Sequence, residues 1–237
     1  MAGILLIETS TEVCSVAFSE NNEVQFIKES LEGLNHSELL TVFIEDLFKE
    51  NNLSFSAIDA VAVSKGPGSY TGLRIGVSVA KGLCYALDKP LIAINSLDIL
   101  GKYAAENVNE FSEFNLNDNI LFCPMIDARR MEVYTALYNI SGERIKPVSA
   151  EIVDENFIDD HLEKQPVLFF GNGAQKCKST LKHKNAIFNG PVKTSAQFMQ
   201  KIAHDKYNKK EFENVAYFEP FYLKDFVATI PKNKIIP

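Results

Sequence analysis

The order of apolar and polar positions divides the chain into two halves of similar plan. Residues 4–7 form an unbroken apolar run that predicts a strand, and a Thr/Ser-rich turn leads into a second strand beginning over 15–18. Asn21-Asn22 then marks a tight hairpin into a third strand over 24–30. Over 37–51, Leu39, Leu40, Phe43, Ile44 and Leu47 recur at helical spacing and predict an amphipathic helix. Residues 58–64 read as a short strand of the buried type. A glycine-rich loop follows, Gly66-Pro67-Gly68-Ser69-Tyr70-Thr71-Gly72, then a helix over 71–87, a strand over 91–94 and a third helix after Asn95.

The polar stretch 107–119 reads as a linker, after which the pattern restarts. Strands are expected over 120–126, 132–139 and 143–153, joined by the turn Asp127-Ala128-Arg129-Arg130 and a Ser141-Gly142 hairpin. A helix, a strand over 167–170, a helix, a strand over 186–188 and a helix over 195–207 complete the half. Both halves read βββαβαβα, although their residues are not alike. Three antiparallel strands followed by crossover helices imply a mixed sheet in each half. The expected fold class is therefore α/β, a duplicated two-lobed arrangement of the actin and sugar-kinase kind. The N-terminal lobe spans 1–106, the linker 107–119 and the C-terminal lobe 120–237.

Composition narrows the function classes. The 237 residues are 46% hydrophobic and 23% charged, an ordinary globular balance that excludes a collagen-like fibre, a disordered tail and a disulfide miniprotein. There is no run of about 18 apolar residues, so no membrane span is expected. The N-terminus has no basic segment and Glu8 interrupts the first apolar run, so no secretory signal is expected. Cys14, Cys84, Cys123 and Cys177 form no C-x-x-C pair and read as small core residues in a reducing cytoplasm. Net charge is −7, unevenly divided: −10 over residues 1–118 and +3 over 119–237. The acidic first half opposes autonomous binding to a phosphate backbone, while a shared RNA surface with a basic partner stays open.

The candidate chemistry lies in the turns. In two-lobed folds of this kind the turn between the first two strands of each half grips a nucleotide phosphate, using Asp for the metal and Gly for close backbone approach. Here the turns read Glu8-Thr9-Ser10-Thr11 and Asp127-Ala128-Arg129-Arg130, and neither contains Gly. The first is either a weak phosphate site or a plain hairpin turn in which Thr9 and Ser10 bond the local backbone. The glycine loop is neither a Rossmann fingerprint nor a P-loop, because the spacing differs and no Lys follows Gly72. Nor is it a nucleophile elbow, since Tyr70 stands where Ser is required. Ser69 or Thr71 can cap the following helix, whose N-terminus favours an anion. Thr9, Ser10, Gly68, Ser69 and Thr71 are thus the candidate phosphate contacts, against the alternative of a tight strand-to-helix turn.

The helix over 71–87 has one narrow polar stripe, Arg74, Ser78 and Lys81, and is apolar or small elsewhere, so it must be covered on more than one side. Gly72, Gly76 and Ala80 recur every four residues, as do Ser78, Gly82 and Ala86. Such rows let another helix approach, from this chain or from a partner. The expected partner surface joins this helix to that over 37–51 and comprises His36, Leu40, Phe43, Arg74, Ile75, Gly76, Val79 and Leu83. The Gly76 row is expected to face outward, and a homodimer is expected to bury the surface when the chain is alone. No metal site is expected: the four histidines form no H-x-x-x-H, and His36 reads as an exposed residue near a helix start. No catalytic triad can be assembled. Lys176, Lys178, Lys182 and Lys184 fall on an expected helix, as a solvated face or an RNA-facing patch.

Four segments together resemble one family. These are Ile7-Glu8-Thr9-Ser10-Thr11-Glu12, the loop and helix start from Gly66 to Gly76, Ile126-Asp127-Ala128-Arg129 with Glu132-Val133-Tyr134, and Glu219-Pro220-Phe221-Tyr222-Leu223. The chain is similar to the bacterial TsaB (YeaZ) family over nearly its whole length, densely to about residue 140. The resemblance implies an actin-like fold without robust ATPase chemistry and without a cofactor of its own. It implies a non-catalytic role in making threonylcarbamoyladenosine beside the tRNA anticodon. The implied partners are TsaD, the paralogue that holds the metal and performs the transfer, and TsaE, a small ATPase. Contact with tRNA would come through that complex. Glu8 departs from the Asp common in the family, which argues further against metal or nucleotide binding. The competing expectation is an independent nucleotide-dependent phosphotransferase or hydrolase.

Overall fold

A computed structural model describes residues 2–33, 35–114, 119–189 and 192–224. Part of the expected linker, 115–118, and the end of the expected second lobe, 225–237, lie outside the described residues.

The first sheet holds β1 (Gly3–Glu8), β2 (Cys14–Glu20), β3 (Glu23–Ser30), β4 (Ala60–Gly66) and β5 (Leu91–Asn95), in the order β3-β2-β1-β4-β5. The second holds β6 (Leu121–Asp127), β7 (Glu132–Tyr138), β8 (Arg144–Ile152), β9 (Val167–Phe170) and β10 (Ala186–Phe188), in the order β10-β9-β6-β7-β8. The two orders are the same when each half is counted from its own first strand. In both sheets the first three strands are antiparallel and the last two join in parallel. This is the duplicated, two-lobed α/β arrangement expected from the sequence. The β2–β3 hairpin turns on Asn21 and Asn22, both at positive φ, the conformation that two-residue hairpin loops need and Asn tolerates.

The helices of the first half are α1 (His36–Glu50), α2 (Tyr70–Leu87) and α3 (Ser96–Glu106). Those of the second half are shorter than expected. A four-residue α4 (Asp159–Leu162) follows β8, a single 3-10 turn (Gln175–Cys177) follows β9, and α5 (Gln200–Asn208) is preceded by a 3-10 turn over Ala196–Met199. The helix expected to carry Lys176, Lys178, Lys182 and Lys184 is therefore absent. Only Cys177 and Leu181 anchor that stretch in the core, too few apolar positions to hold a full amphipathic helix on the sheet.

The strands read as apolar runs because both faces of each sheet are covered. On the first sheet, Leu5, Ile7, Val61 and Val63 pack against Leu40, Ile44 and Leu47 of α1 and Val77 and Ala80 of α2. The alternate residues Ile4, Leu6, Ala60, Ala62, Ile92 and Ile94 pack against Ala196, Met199 and Ala203 from the second half. Conversely, Leu97, Leu100 and Ala104 of α3, from the first half, lie on Phe122, Tyr138, Leu168 and Phe170 of the second sheet. Each half thus lends its last helix to the other, and the two cores share their covering layers. Tyr138 closes this exchange by donating its hydroxyl to Asp98 Oδ1 at 2.7 Å, where Arg144 also reaches the same carboxylate at 3.3 Å. All four cysteines are free and buried.

After α5 the chain returns to the first lobe. Glu213 bridges Leu91 at the edge of β5, Lys81 of α2 donates to the carbonyls of Ala216 and Phe218 at 3.2 and 2.9 Å, and the Phe221 N–H donates to the Lys65 carbonyl at 2.7 Å. Tyr222 packs on Tyr70 and accepts from Arg74 Nε at 3.2 Å. The late Glu219–Leu223 segment therefore lies against the glycine loop. Among the described residues no helix is long and apolar enough to cross a membrane.

Candidate functional site: a filled first turn and an exposed helix face

The turn between β1 and β2 is packed shut by the chain itself. Glu8 is fully buried; its Oε1 accepts from the Ser10 N–H at 2.6 Å and the Ser64 hydroxyl at 3.0 Å. Its Oε2, like the buried Ser10 Oγ, has no partner among the described residues. Burial raises the carboxyl pKa, against the opposing pull of the bonds from Ser10, Ser64 and Thr9. The Thr9 hydroxyl donates to the Gly72 carbonyl at 2.8 Å, and the Ser69 N–H donates to the Ser10 carbonyl at 2.6 Å. A side chain at Gly68 would collide with the Ser10 backbone, one at Gly72 with the Thr9 carbonyl, and one at Gly76 with the Thr9 hydroxyl. The three glycines therefore let the start of α2 lie directly on the turn.

Each candidate phosphate contact is placed by this packing. Thr9 and Ser10 are buried; the Thr9 hydroxyl bonds Gly72 across the fold, and the Ser10 hydroxyl has no partner among the described residues. Gly68 is half-buried against Ser10. Ser69 is the N-cap of α2, accepting from the Gly72 N–H at 3.3 Å. Thr71 alone is exposed. The Thr9 hydroxyl bonds the distant Gly72 carbonyl and not the local backbone that a plain hairpin turn would offer it.

The equivalent turn of the second lobe is also occupied from within. Lys176 donates to Asp127 and, at 2.7 Å, to the Glu132 carbonyl, so this lysine is tied into the turn rather than lying on a solvated helix face. Asn172 accepts from the Asp127 N–H at 3.0 Å and donates to Glu12 of the first turn at 2.6 Å. Thr11 and Thr194 share a 2.7 Å hydrogen bond across the lobes. The crevice that these residues border, with Leu100, Ile126 and Lys193, leaves no room for a water-sized sphere. Asn172 is not among the sequence-predicted site residues; Glu12 enters only within the family motif, and Lys176 only as one of four lysines on an expected helix. The readable signal was Gly171-Asn172-Gly173, which follows β9 as the glycine loop follows β4. Among the described residues no group of three or more His, Cys, Asp or Glu side chains could hold a metal ion.

The residues expected at a partner surface separate into two sets. His36 is buried, its Nε2 donating to the Val13 carbonyl at 3.1 Å, which corrects the expectation of an exposed residue. The ring fills the gap between the start of α1 and the loop before β2. Leu40 is a core residue of the first lobe. Gly76 also faces inward, onto Thr9, so the outward orientation expected for the Gly72-Gly76-Ala80 row is corrected: that row is the one by which α2 reaches the turn and the sheet. The second row, Ser78, Gly82 and Ala86, is the exposed one, and nothing lies within 4 Å of where a Gly82 side chain would begin. Arg74 is exposed, with its guanidinium 4.3 Å from the Tyr70 ring centre. Phe43, Ile75, Val79 and Leu83 are half-buried at the edge of the core. Val42 and Tyr85, 46% and 88% exposed, extend the apolar surface on α1 and α2.

Known proteins match this chain over nearly its whole length. The family model described as TsaD, tRNA N6-adenosine threonylcarbamoyltransferase, matches residues 30–232. The tRNA threonylcarbamoyladenosine biosynthesis protein TsaB of Bacillus subtilis is 32% identical, with 93% of each chain covered. The protein of the same name from Escherichia coli strain K12 is 30% identical, over 95% of this chain and 96% of that one. The solved structure of YeaZ from Pseudomonas aeruginosa superposes with a TM-score of 0.78 at 25% identity, covering 94% of this chain and all of that one. The chain therefore belongs to the broad family that the transferase model describes and, within it, to the TsaB proteins.

Proposed function

We propose that this protein is a non-catalytic subunit of the complex that makes threonylcarbamoyladenosine next to the tRNA anticodon. It seats against the catalytic paralogue TsaD and activates it, with TsaE as the ATPase of the same assembly. Alone, it pairs with a second copy of itself. The observation that carries this reading is the filled first turn. Gly68, Gly72 and Gly76 of the chain's own loop and helix lie directly against Thr9 and Ser10 of the turn, and the turn's acid, Glu8, is buried. A fold with a tightly packed first turn and a partly apolar helix face outside is suited to scaffolding. Its TsaB relatives are named for the threonylcarbamoyladenosine pathway, and the transferase family model spans most of the chain.

The partner surface in this reading is the outer side of α2 with the neighbouring side of α1: Arg74, Ile75, Val79 and Leu83, with Phe43, around the open row Ser78-Gly82-Ala86. Two helices from each subunit would form a four-helix packing across the junction.

Reconstitution tests the proposal. Purified chain, TsaD, TsaE, tRNA and the substrates of the pathway should yield modified tRNA, and omission of this chain should abolish it. The chain alone should show no robust ATP turnover. Magnesium-dependent hydrolysis by the isolated chain that is lost in Glu8→Ala or Asp127→Ala would overturn the reading in favour of an independent nucleotide-dependent enzyme.

A further inference from the structure

The hairpin joining β6 and β7 carries adjacent arginines, Arg129 and Arg130, with φ of 70° and 52°. Left-handed backbone is costly for a long side chain and ordinary for Asn or Gly. The β2–β3 hairpin elsewhere in the fold follows that rule, using Asn21 and Asn22 at positive φ. Two arginines at such positions are a poor solution to the turn alone, and an observed backbone outlier of this kind points to a use for the side chains.

The charges around them sharpen the point. The two acids of the hairpin are already neutralised: Asp127 by Lys176 and Glu132 by Lys224. Arg129 and Arg130 are exposed and have no ion-pair partner among the described residues. The tip thus presents two uncompensated positive charges on a protein whose net charge is −7. None of the large exposed apolar side chains lies on the tip itself; Ile152, 73% exposed, stands across from Glu132 at its foot, so the tip is charged and apolar surface lies only beside it. Planar guanidinium groups are the side chains best matched to phosphate oxygens.

We propose that the hairpin tip formed by Arg129 and Arg130 contacts the sugar-phosphate backbone of the tRNA held by the assembled complex. This rests on the function proposed above. Two guanidinium groups cannot hold RNA against the acidic first lobe by themselves. They add contacts to a site whose main affinity comes from the partner, and they read charge and not base sequence.

The test is tRNA binding by the complex of this chain with its transferase paralogue, measured by fluorescence anisotropy across a salt series. The double variant Arg129→Asn, Arg130→Gly removes both charges while supplying residues that suit the left-handed turn, so folding is protected. Binding should weaken, and the plot of log affinity against log salt should flatten by about two, one for each lost phosphate contact. Arg129→Lys with Arg130→Lys should keep most of the slope. An unchanged slope in an Asn-Gly variant that still assembles would overturn the proposal. So would weakened assembly at unchanged slope, which would make the tip a protein contact. If the parent complex binds no tRNA, the functional reading fails first and takes this proposal with it.

Discussion

The Thr9 hydroxyl donates to the Gly72 carbonyl across 2.8 Å and ties the first turn of the sheet to the first turn of α2. The same hydroxyl occupies the space beside Gly76 one turn further on, where a side chain has no room. Gly76→Ala should therefore destabilise the isolated chain by about 1–3 kcal/mol through overpacking. Thr9→Ala alone should cost about 1 kcal/mol for the lost hydrogen bond. Combined, the two changes should cost less than their sum, because removing the hydroxyl makes room for the new methyl. Urea unfolding of the four proteins in the cycle checks this, and strict additivity would show that Thr9 does not set the constraint.

Glu8 gives the fold a pH dependence of unusual sign for a carboxylate. Its folded pKa is raised above the ordinary value of 4.5, chiefly by burial. Below the ordinary value both states hold the proton and nothing is lost. As pH rises through that value the unfolded chain ionises first, and stability falls until the folded pKa is passed. Glu8→Gln keeps an acceptor for Ser10 and Ser64 but cannot ionise. It should be more stable than the parent at neutral pH by about 1.4 kcal/mol for each unit by which folding raises the pKa. Unfolding curves from about pH 4 to about pH 8 should show the advantage growing with pH.

Gly82 separates the demands of the free chain from those of a complex. It lies within α2, exposed, with open space where a side chain would extend. Gly82→Leu should stabilise the isolated helix by up to about 1 kcal/mol. If the outer side of α2 is the partner surface, the same change should weaken assembly by about 1–3 kcal/mol, roughly ten- to a hundredfold in affinity. Thermal unfolding of the free chain and titration calorimetry with the paralogue should move in opposite directions.

Lys81 pins the returning C-terminal segment by donating to the Ala216 and Phe218 carbonyls. Lys81→Met retains the apolar stem and removes both bonds. The segment should loosen before the lobe does, at a cost of about 1–2 kcal/mol for hydrogen bonds from a partly exposed charged group. Hydrogen exchange at the Phe221 amide, bonded to the Lys65 carbonyl, should accelerate while the amides of β1 and β4 keep their protection.

Much of the fold was legible in the sequence because it is written in local patterns. The run from Ile4 to Ile7, the Asn21-Asn22 turn and the helical spacing of Leu40, Ile44 and Leu47 each specify an element without reference to the rest of the chain. The second half was harder to read. The lysines from Lys176 onward are compatible with a helix by propensity, but only Cys177 and Leu181 of that stretch reach the core, and the chain makes one 3-10 turn instead.

The candidate site was legible as a set of residues and not as an arrangement. The sequence by itself determined that the first turn lacks Gly, that α2 begins in a glycine-rich loop, that its small residues form two rows, and that charge is split between the halves. Only the tertiary structure decided which row faces inward. The two rows have the same spacing, and the choice between them depends on the position of Thr9, 63 residues from Gly72 in sequence. The exchange of α3 and the segment ending in α5 between the lobes was likewise decided in three dimensions. Both are amphipathic, and an apolar stripe states that it must be buried without naming the sheet that will bury it.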